Sequence, residues 1–365
     1  MDPVSHGLLG ASLGYAACGR RLGRTAALAG GLAGIFPDVD IFIRSATDPL
    51  VAIEFHRHFT HALVMVPVGA ALVAWPWLGW ARRRGVGRVL WLCCALAYLS
   101  HCLLDAATSY GTQLFWPFSD HRAGWDLVSI VDPVVTLPLL AGLVVALVRR
   151  SPRPAAVVAG WTAFYLALGG VQHARAMAVQ RELAALRGQV PERVEVMPTL
   201  ANQVVWRALY LHEGRIYSDR IRVGWLTGAS VVEGWSLPRV TVADLTPGEA
   251  ARNRARSFER FNHFSEGWVA RKPADAAVLG DMRYSLSMAA FDPIWGIRFA
   301  VPGAAADLEW VNHSRDRRVN LREWWAELAG QGTGYRDWAD LAAGAGRGGE
   351  PVGGGGSAAG AAGGR

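Results

Sequence analysis

The run from Ala62 to Trp80 carries no charge and is about as long as the roughly 20 residues that a helix needs to cross a bilayer core. In lipid a backbone must satisfy its own hydrogen bonds, so a segment of this kind predicts a membrane helix. A second span follows from Val89 to Ala107, and Val134–Val148 with Ala155–Gly170 predict a final helical hairpin. Two small-residue segments come earlier, Gly7–Gly19 and Thr25–Phe36. Each reads as shorter than a full span, and their glycines and alanines suit a tightly packed, partly submerged hairpin. Residues 41–55 read as a loop, and residues 108–133 as a polar, aromatic-rich one.

The ends of these apolar runs collect one kind of side chain. Phe55-His56-Arg57-His58-Phe59-Thr60-His61 opens one span, Ser100-His101-Cys102-Leu103-Leu104-Asp105 closes the next, and Phe36-Pro37-Asp38-Val39-Asp40 closes an earlier segment. Imidazole and carboxylate are costly near hydrocarbon, so residues of this type there have partners and functions.

The arginines place these ends in space. Arg20–Arg24, Arg82–Arg88 and Arg149–Arg153 are basic turns between apolar runs, and the excess of Lys and Arg marks the cytoplasmic side. Counting spans from there puts His6, the Asp38/Asp40 turn, His56 to His61, the end of the His101 helix and the 108–133 loop on the opposite face. The C-terminal part of the chain falls on that face too.

His101 and Asp105 are four apart, on one side of a helix, which suits two ligands to one ion or a histidine oriented by a carboxylate. His56 and His61, five apart, reach one point only if the chain enters its helix near Phe59, and Thr60 then caps the helix or orients a ligand. Asp38 and Asp40 flank Val39, so on an extended turn both point the same way. The bland alternatives are an ion pair at a helix end, helix termination at a membrane surface and a solvated histidine loop; for His58 the last is preferred. His121, Asp126 and Asp132 are weaker candidates, and His173, His212, His263 and His313 read as structural. A nitrogen and oxygen ligand set suits zinc, manganese or iron, with zinc and manganese foremost. Such an ion activates water and polarises an ester or phosphoryl oxygen, and Asp38 or Asp40 is the expected general base.

A net charge of +7 would suit nucleic acid, but the arginines cluster beside apolar runs, and no nucleic-acid partner is expected. Cys18, Cys93, Cys94 and Cys102 all lie in apolar segments without zinc-finger spacing and read as core residues. No Gly-x-Ser-x-Gly elbow or phosphate-binding loop occurs. The absence of a basic region ahead of the first apolar run argues against a cleaved signal peptide.

Beyond Gly170 the composition changes. Gln172–Arg187 has helical periodicity, and residues 173–189 read as a connecting helix. Strand-like runs follow at Gln203–His212, Arg215–Trp225, Met282–Ala289 and Ile294–Val301, with helix-start patterns at Thr246–Glu249 and Asn320–Glu323. The expected fold class is thus an α-helical multi-pass membrane domain, residues 1–172, followed by a smaller α+β soluble domain, residues 190–341. A glycine- and alanine-rich tail, 342–365, is expected to be disordered.

Taken together, Ser5-His6-Gly7-Leu8-Leu9, Pro37-Asp38-Val39-Asp40, His56-Arg57-x-x-Thr60-His61, Leu99-Ser100-His101-x-Leu103-Leu104-Asp105, Thr108-Ser109-Tyr110-Gly111 and Trp116-Pro117-Phe118 resemble the YdjM-type membrane-bound metal-dependent hydrolases, also called the LexA-binding, inner membrane-associated hydrolase family. The resemblance covers about residues 1–170. It implies a multi-pass inner-membrane protein with a divalent-metal site at His6, Asp38, Asp40, His56, His61, His101 and Asp105. Association with a LexA-type repressor is not expected, because the topology leaves only short basic loops in the cytoplasm.

These readings converge on a metal-dependent membrane hydrolase of an ester or phosphoester, with a lipid or lipid-linked substrate, whose site opens on the extracytoplasmic face beside the soluble domain. The competing classes are an ion-handling transporter, which would show metal-dependent flux without turnover, and an interaction protein in which the metal only stabilises the fold.

Overall fold

The computed structural model describes residues 1–285, 291–300, 308–314, 320–332 and 334–345. Its N-terminal half is helical. Helix α1 (Pro3–Leu22) begins with Pro3 in its first turn, where a missing N–H costs nothing, and Asp2 caps it by accepting from Ser5 N. Gly23, at φ +59°, turns the chain into α2 (Arg24–Ile35), which continues as a 3-10 turn over Phe36–Phe42.

This hairpin is longer than the sequence suggests. Pro37 falls at the start of the 3-10 turn and does not end the element, so Arg24–Phe42 has the length and apolarity of a membrane span. Its two backbones touch. A Cβ at Gly34 would lie 2.5 Å from the carbonyl oxygen of His6, and one at Gly30 would lie 2.4 Å from that of Gly10. Glycine is what permits this approach.

Within the expected 41–55 loop, residues 51–55 form α3 (Val51–Phe55). The next span is α4 (Val66–Ala74) and α5 (Leu78–Arg83), joined by a 3-10 turn at Trp75–Trp77, where Pro76 interrupts the α-helix. Helix α6 (Gly87–Ala106) is unbroken. It buries Leu90, Cys93, Cys94, Ala97, Tyr98, His101 and Asp105 against the α1–α2 hairpin. All four cysteines are buried and free. Helix α7 (Pro133–Val148) pairs with α8 (Arg153–Leu186). Among the described residues, four stretches are long and apolar enough to cross a membrane: Arg24–Phe42, Leu63–Arg83, Gly87–Ala106 and Arg153–Leu186.

The C-terminal part carries two antiparallel sheets. The first contains β1 (Arg193–Pro198), β2 (Val205–His212), β3 (Arg215–Val223) and β4 (Ala229–Pro238) in that order. Helix α9 (Arg252–Phe264) then leads to the second, β5 (Val269–Lys272), β6 (Asp275–Asp281), β7 (Trp295–Phe299) and β8 (Leu308–Asn312). After α10 (Leu321–Ala329), the short β9 (Arg336–Asp337) adds to the first sheet beside β4, and α11 (Trp338–Ala345) follows. This is the expected architecture, an apolar helical region followed by an α+β region.

The two strand runs best marked in the sequence are β2 and β3. Glu213 and Gly214, both at positive φ, make the tight turn between them. Strands β1, β4, β5, β6 and β8 were not anticipated. Of the expected 282–289 strand, residues 282–285 form a turn ending in an isolated bridge between Ser285 and Pro293, while 286–289, and 346–365 of the tail, lie outside the described residues. The periodic stretch after Gly170 is not a separate helix but the second half of α8. There Ala176, Val179 and Leu183 pack on Trp206, Ala208 and Ile221 of the first sheet.

Candidate metal centre

Four elements bring their polar ends to one point. The 3-10 turn after α2 contributes Asp38 and Asp40, the turn at Phe59–His61 contributes His61, the end of α6 contributes His101 and Asp105, and the first turn of α1 contributes His6. His61 and His101 are fully buried, as is Asp105, while the side chain of Asp38 keeps 14% of its surface exposed.

Each buried imidazole has one nitrogen held by an acceptor. His101 Nδ1 lies 2.7 Å from the carbonyl oxygen of Gly34, which can only accept, so the proton is on Nδ1 and Nε2 carries the lone pair. His61 Nδ1 lies 3.2 Å from Asp40 Oδ2, which fixes the same tautomer. The two Nε2 atoms then face each other at 2.9 Å. Asp105 Oδ2 is 3.2 Å from the first and 3.5 Å from the second, and Asp38 Oδ1 is 3.7 Å from both.

With both imidazoles neutral, two lone pairs and two carboxylate oxygens converge, a set that takes up either a proton or a cation. Ligand bonds of about 2.0–2.1 Å give tetrahedral donor–donor edges of about 3.3 Å, which the distances here bracket. Asp38, His61, His101 and Asp105 thus form a cluster able to hold a metal ion, all four ligand atoms lying within 4.8 Å of one another. Burial alone would lower the proton affinity of His61, but Asp105, Asp38 and Asp40 outweigh it and raise the pKa to about 10. The field that draws a proton to His61 draws a cation equally.

The other expected ligands lie around this group. Asp40 is engaged on both oxygens: Oδ1 with His56 Nδ1 at 3.0 Å, and Oδ2 with Arg57 N at 2.8 Å and Thr60 Oγ1 at 3.1 Å. Asp38, Asp40 and His56 nevertheless make a second group of ligand atoms. His6 stacks on His101 with ring centroids 3.8 Å apart and meets Asp105 Oδ1 through Nε2 at 2.9 Å.

The weaker candidates are elsewhere. His58 sits among Phe55, Phe59 and Trp116, His121 is exposed, and Asp132 caps α7 and accepts from Tyr165 Oη. Asp126 is buried away from the cluster. His173 lies against Trp206 and His212 Nδ1 meets the carbonyl of Val190; His263 is in α9 and His313 follows β8.

Sequence reasoning gave no role to Arg57, which is 4% exposed. Its Nε lies 3.0 Å from Asp105 Oδ2, its Nη1 donates to Thr108 Oγ1 at 2.8 Å, and its guanidinium lies over the Tyr110 ring. The available signal was an arginine inside the histidine motif, which reads as solvated until the fold buries it. With Arg57 present, three carboxylates and one guanidinium leave two negative charges. A deficit of two suits a divalent ion.

Helices long enough to cross a membrane, with a buried histidine and carboxylate cluster at their ends, define a membrane protein with a possible metal site. Residues 1–176 match the family described as YdjM inner membrane protein. The chain is also similar to the inner membrane protein YbcI of Escherichia coli, at 32% identity over 28% of this chain and 60% of that one. It is 29% identical to YfhP of Bacillus subtilis, named as uncharacterized, over 32% of this chain and 35% of that one. The chain thus spans only part of the length of these relatives. No solved structure matches it. The family and the apolar helices together support an inner-membrane location.

Proposed function

We propose that this protein is a divalent-metal-dependent hydrolase of the inner membrane, acting on an ester or phosphoester of a lipid or lipid-linked substrate. The observation that carries the reading is the convergence of the facing Nε2 atoms of His61 and His101 on Asp105 Oδ2 and Asp38 Oδ1, with Arg57 as the counter-ion of Asp105. Asp38, His61, His101 and Asp105 would hold the ion, and His6 would orient Asp105 from its other oxygen. Zinc and manganese suit this nitrogen and oxygen set best. Held by these residues, a divalent ion would supply Lewis acidity toward the scissile group and toward an attacking water.

The protein's own contribution is to orient and to move protons. Asp40 holds His61 and His56 by their Nδ1 atoms, which leaves His56 Nε2 free to accept a proton; the side chain of His56 is 28% exposed. Asp40 thus serves the base through His56, while Asp38 reaches the site's exposed edge. A lipid substrate is supported by the apolar surroundings of that edge, where Val39, Ile41 and Phe42 are all exposed beside the two carboxylates. The basic turns favour placing the site and the C-terminal region on the extracytoplasmic side.

The test is metal content per chain in detergent-purified protein, compared with His61→Ala and His101→Ala variants of unchanged circular dichroism. One or two ions in the parent, lost in both variants, are expected, with hydrolysis of a lipid phosphoester lost in parallel. His56→Ala should keep the metal and lose turnover. A parent that binds no ion after reconstitution with zinc or manganese would sink the reading.

A further inference from the structure

A cavity of about 560 Å³ lies between the loop that follows α6, the strands β1 to β3 and α10, within the size range of ligand sites. Its walls are mainly apolar, with Ile130, Met197, Leu200, Val205, Ile294 and Trp295 among them. Its charged lining residues are Arg207, Arg220, Arg283, Glu323 and Glu327. Arg207 on β2 and Arg220 on β3 are direct cross-strand partners, and both line this space.

Like charges directly opposite each other in a sheet are destabilising, and the one carboxylate paired with them, Glu327, offsets only Arg220. Arg220 donates to Glu327, which also accepts from Tyr335 Oη, and Arg220 Nε is buried without a partner. Arg207 directs Nε and Nη2 at one carbonyl oxygen, that of Met282, at 3.1 and 2.9 Å. No carboxylate among the described residues pairs with it. Burial, and after it the charge of Arg220, bring its pKa down to about 10, so it remains cationic at neutral pH. The third arginine at the wall, Arg283, is already matched by Asp281 and Glu266. Glu323 stands exposed at the rim.

We infer that this cavity binds an anionic amphiphile, with a phosphate or carboxylate head between Arg207 and Arg220 and its hydrocarbon along the Leu200–Trp295 wall. Paired guanidiniums match the planar, bidentate recognition of such a head, and an apolar wall adjoining one cationic spot matches a molecule with a tail. The cavity adjoins the metal cluster's own support: Tyr284 Oη donates to the carbonyl of Ser109 at 2.8 Å, and the preceding Thr108 holds Arg57. An amphiphile bound here would lie next to the loop that secures the cluster. The inference does not depend on hydrolysis.

The experiment titrates full-length protein in amphipol with octyl phosphate, octyl glucoside and inorganic phosphate, each followed by calorimetry, before and after removal of metal with EDTA. One octyl phosphate per chain is expected, at least tenfold tighter than either control and unchanged by EDTA. Arg207→Gln and Arg220→Gln should each weaken it at least tenfold. Leu200→Trp, which fills the apolar wall and keeps both arginines, should do the same with an unchanged melting temperature, and it serves as the test if the arginine variants misfold. Inorganic phosphate binding as tightly as octyl phosphate would overturn the amphiphile in favour of a free-anion site. Octyl phosphate binding that survives all three substitutions, or is absent, would overturn the site itself. Loss on EDTA treatment alone would move the binding to the metal cluster.

Discussion

Arg57 illustrates how one side chain sets the charge that a site can accept. Without it three carboxylates would face the cluster; with it the remaining charge is that of one divalent ion. Breaking a buried pair of this sort leaves an uncompensated charge and costs about 3–5 kcal/mol. Asp126 is the opposite case. It is 8% exposed at φ +55°, its Oδ1 has no partner, and burial, followed by the charge of Glu195, holds its pKa well above the usual carboxylate range. The folded state therefore keeps the Asp126 proton that the unfolded chain releases near pH 4. Its neutral form favours folding at low pH, and that contribution is lost as pH rises from about 4 through the raised folded value. Asp126→Asn mimics the protonated form and tolerates a positive φ. The variant's melting temperature should fall less between pH 5 and pH 8 than the parent's; equal slopes would mean that Asp126 does not titrate in this range.

At the scale of elements, the α1–α2 hairpin is what delivers the site. Gly34 lets α2 approach His6 on α1, and its carbonyl fixes the tautomer of His101. A Cβ there would meet backbone at 2.5 Å, which cannot move aside as a side chain would. Gly34→Ala should therefore destabilise the protein by about 1–3 kcal/mol and weaken metal retention. Gly31→Ala, whose Cβ would meet its neighbours at 3.5 Å, should do neither. Thermal melts and metal content of the two variants check this, and equal behaviour would remove the role given to the close approach. The spacing of His101 and Asp105, and Thr60 beside His61, were legible because helix geometry acts over four residues. The Gly34 carbonyl was not, since a backbone acceptor leaves no trace in residue type.

In the whole molecule the two halves are joined by more than the continuous α8. Leu50, from the N-terminal half, is fully buried in the core formed by Phe258, Phe261 and Leu279. Arg260 pairs with Glu54 and Asp48, Gln203 Nε2 donates to the carbonyls of Leu127 and Tyr165, and Gln172 reaches across to Gln203 and Val223. Ion pairs that stay in contact with water, as these half-buried ones do, contribute about 0–1 kcal/mol each, so the apolar contact of Leu50 and the buried amides carry most of the junction. A chain ending at Gln189 should melt well below the parent and lose metal, whereas Arg260→Ala should change both only slightly. If the truncated chain kept its metal and its melting temperature, the C-terminal region would be a passenger on the site.

What the sequence determined is whatever acts over short distances. Uncharged runs specify membrane-length helices, alternation and a Glu-Gly turn mark β2 and β3, and the position of His and Asp at the ends of apolar runs picks out the cluster. Only the tertiary structure decided how those residues share the work. It made Asp40 an orienting group on both oxygens, buried Arg57 as the counter-charge, and turned the free nitrogens of His61 and His101 toward one another. It also set Arg207 opposite Arg220. These outcomes depend on contacts between residues far apart in the chain and on backbone atoms common to every residue, which neither periodicity nor spacing records.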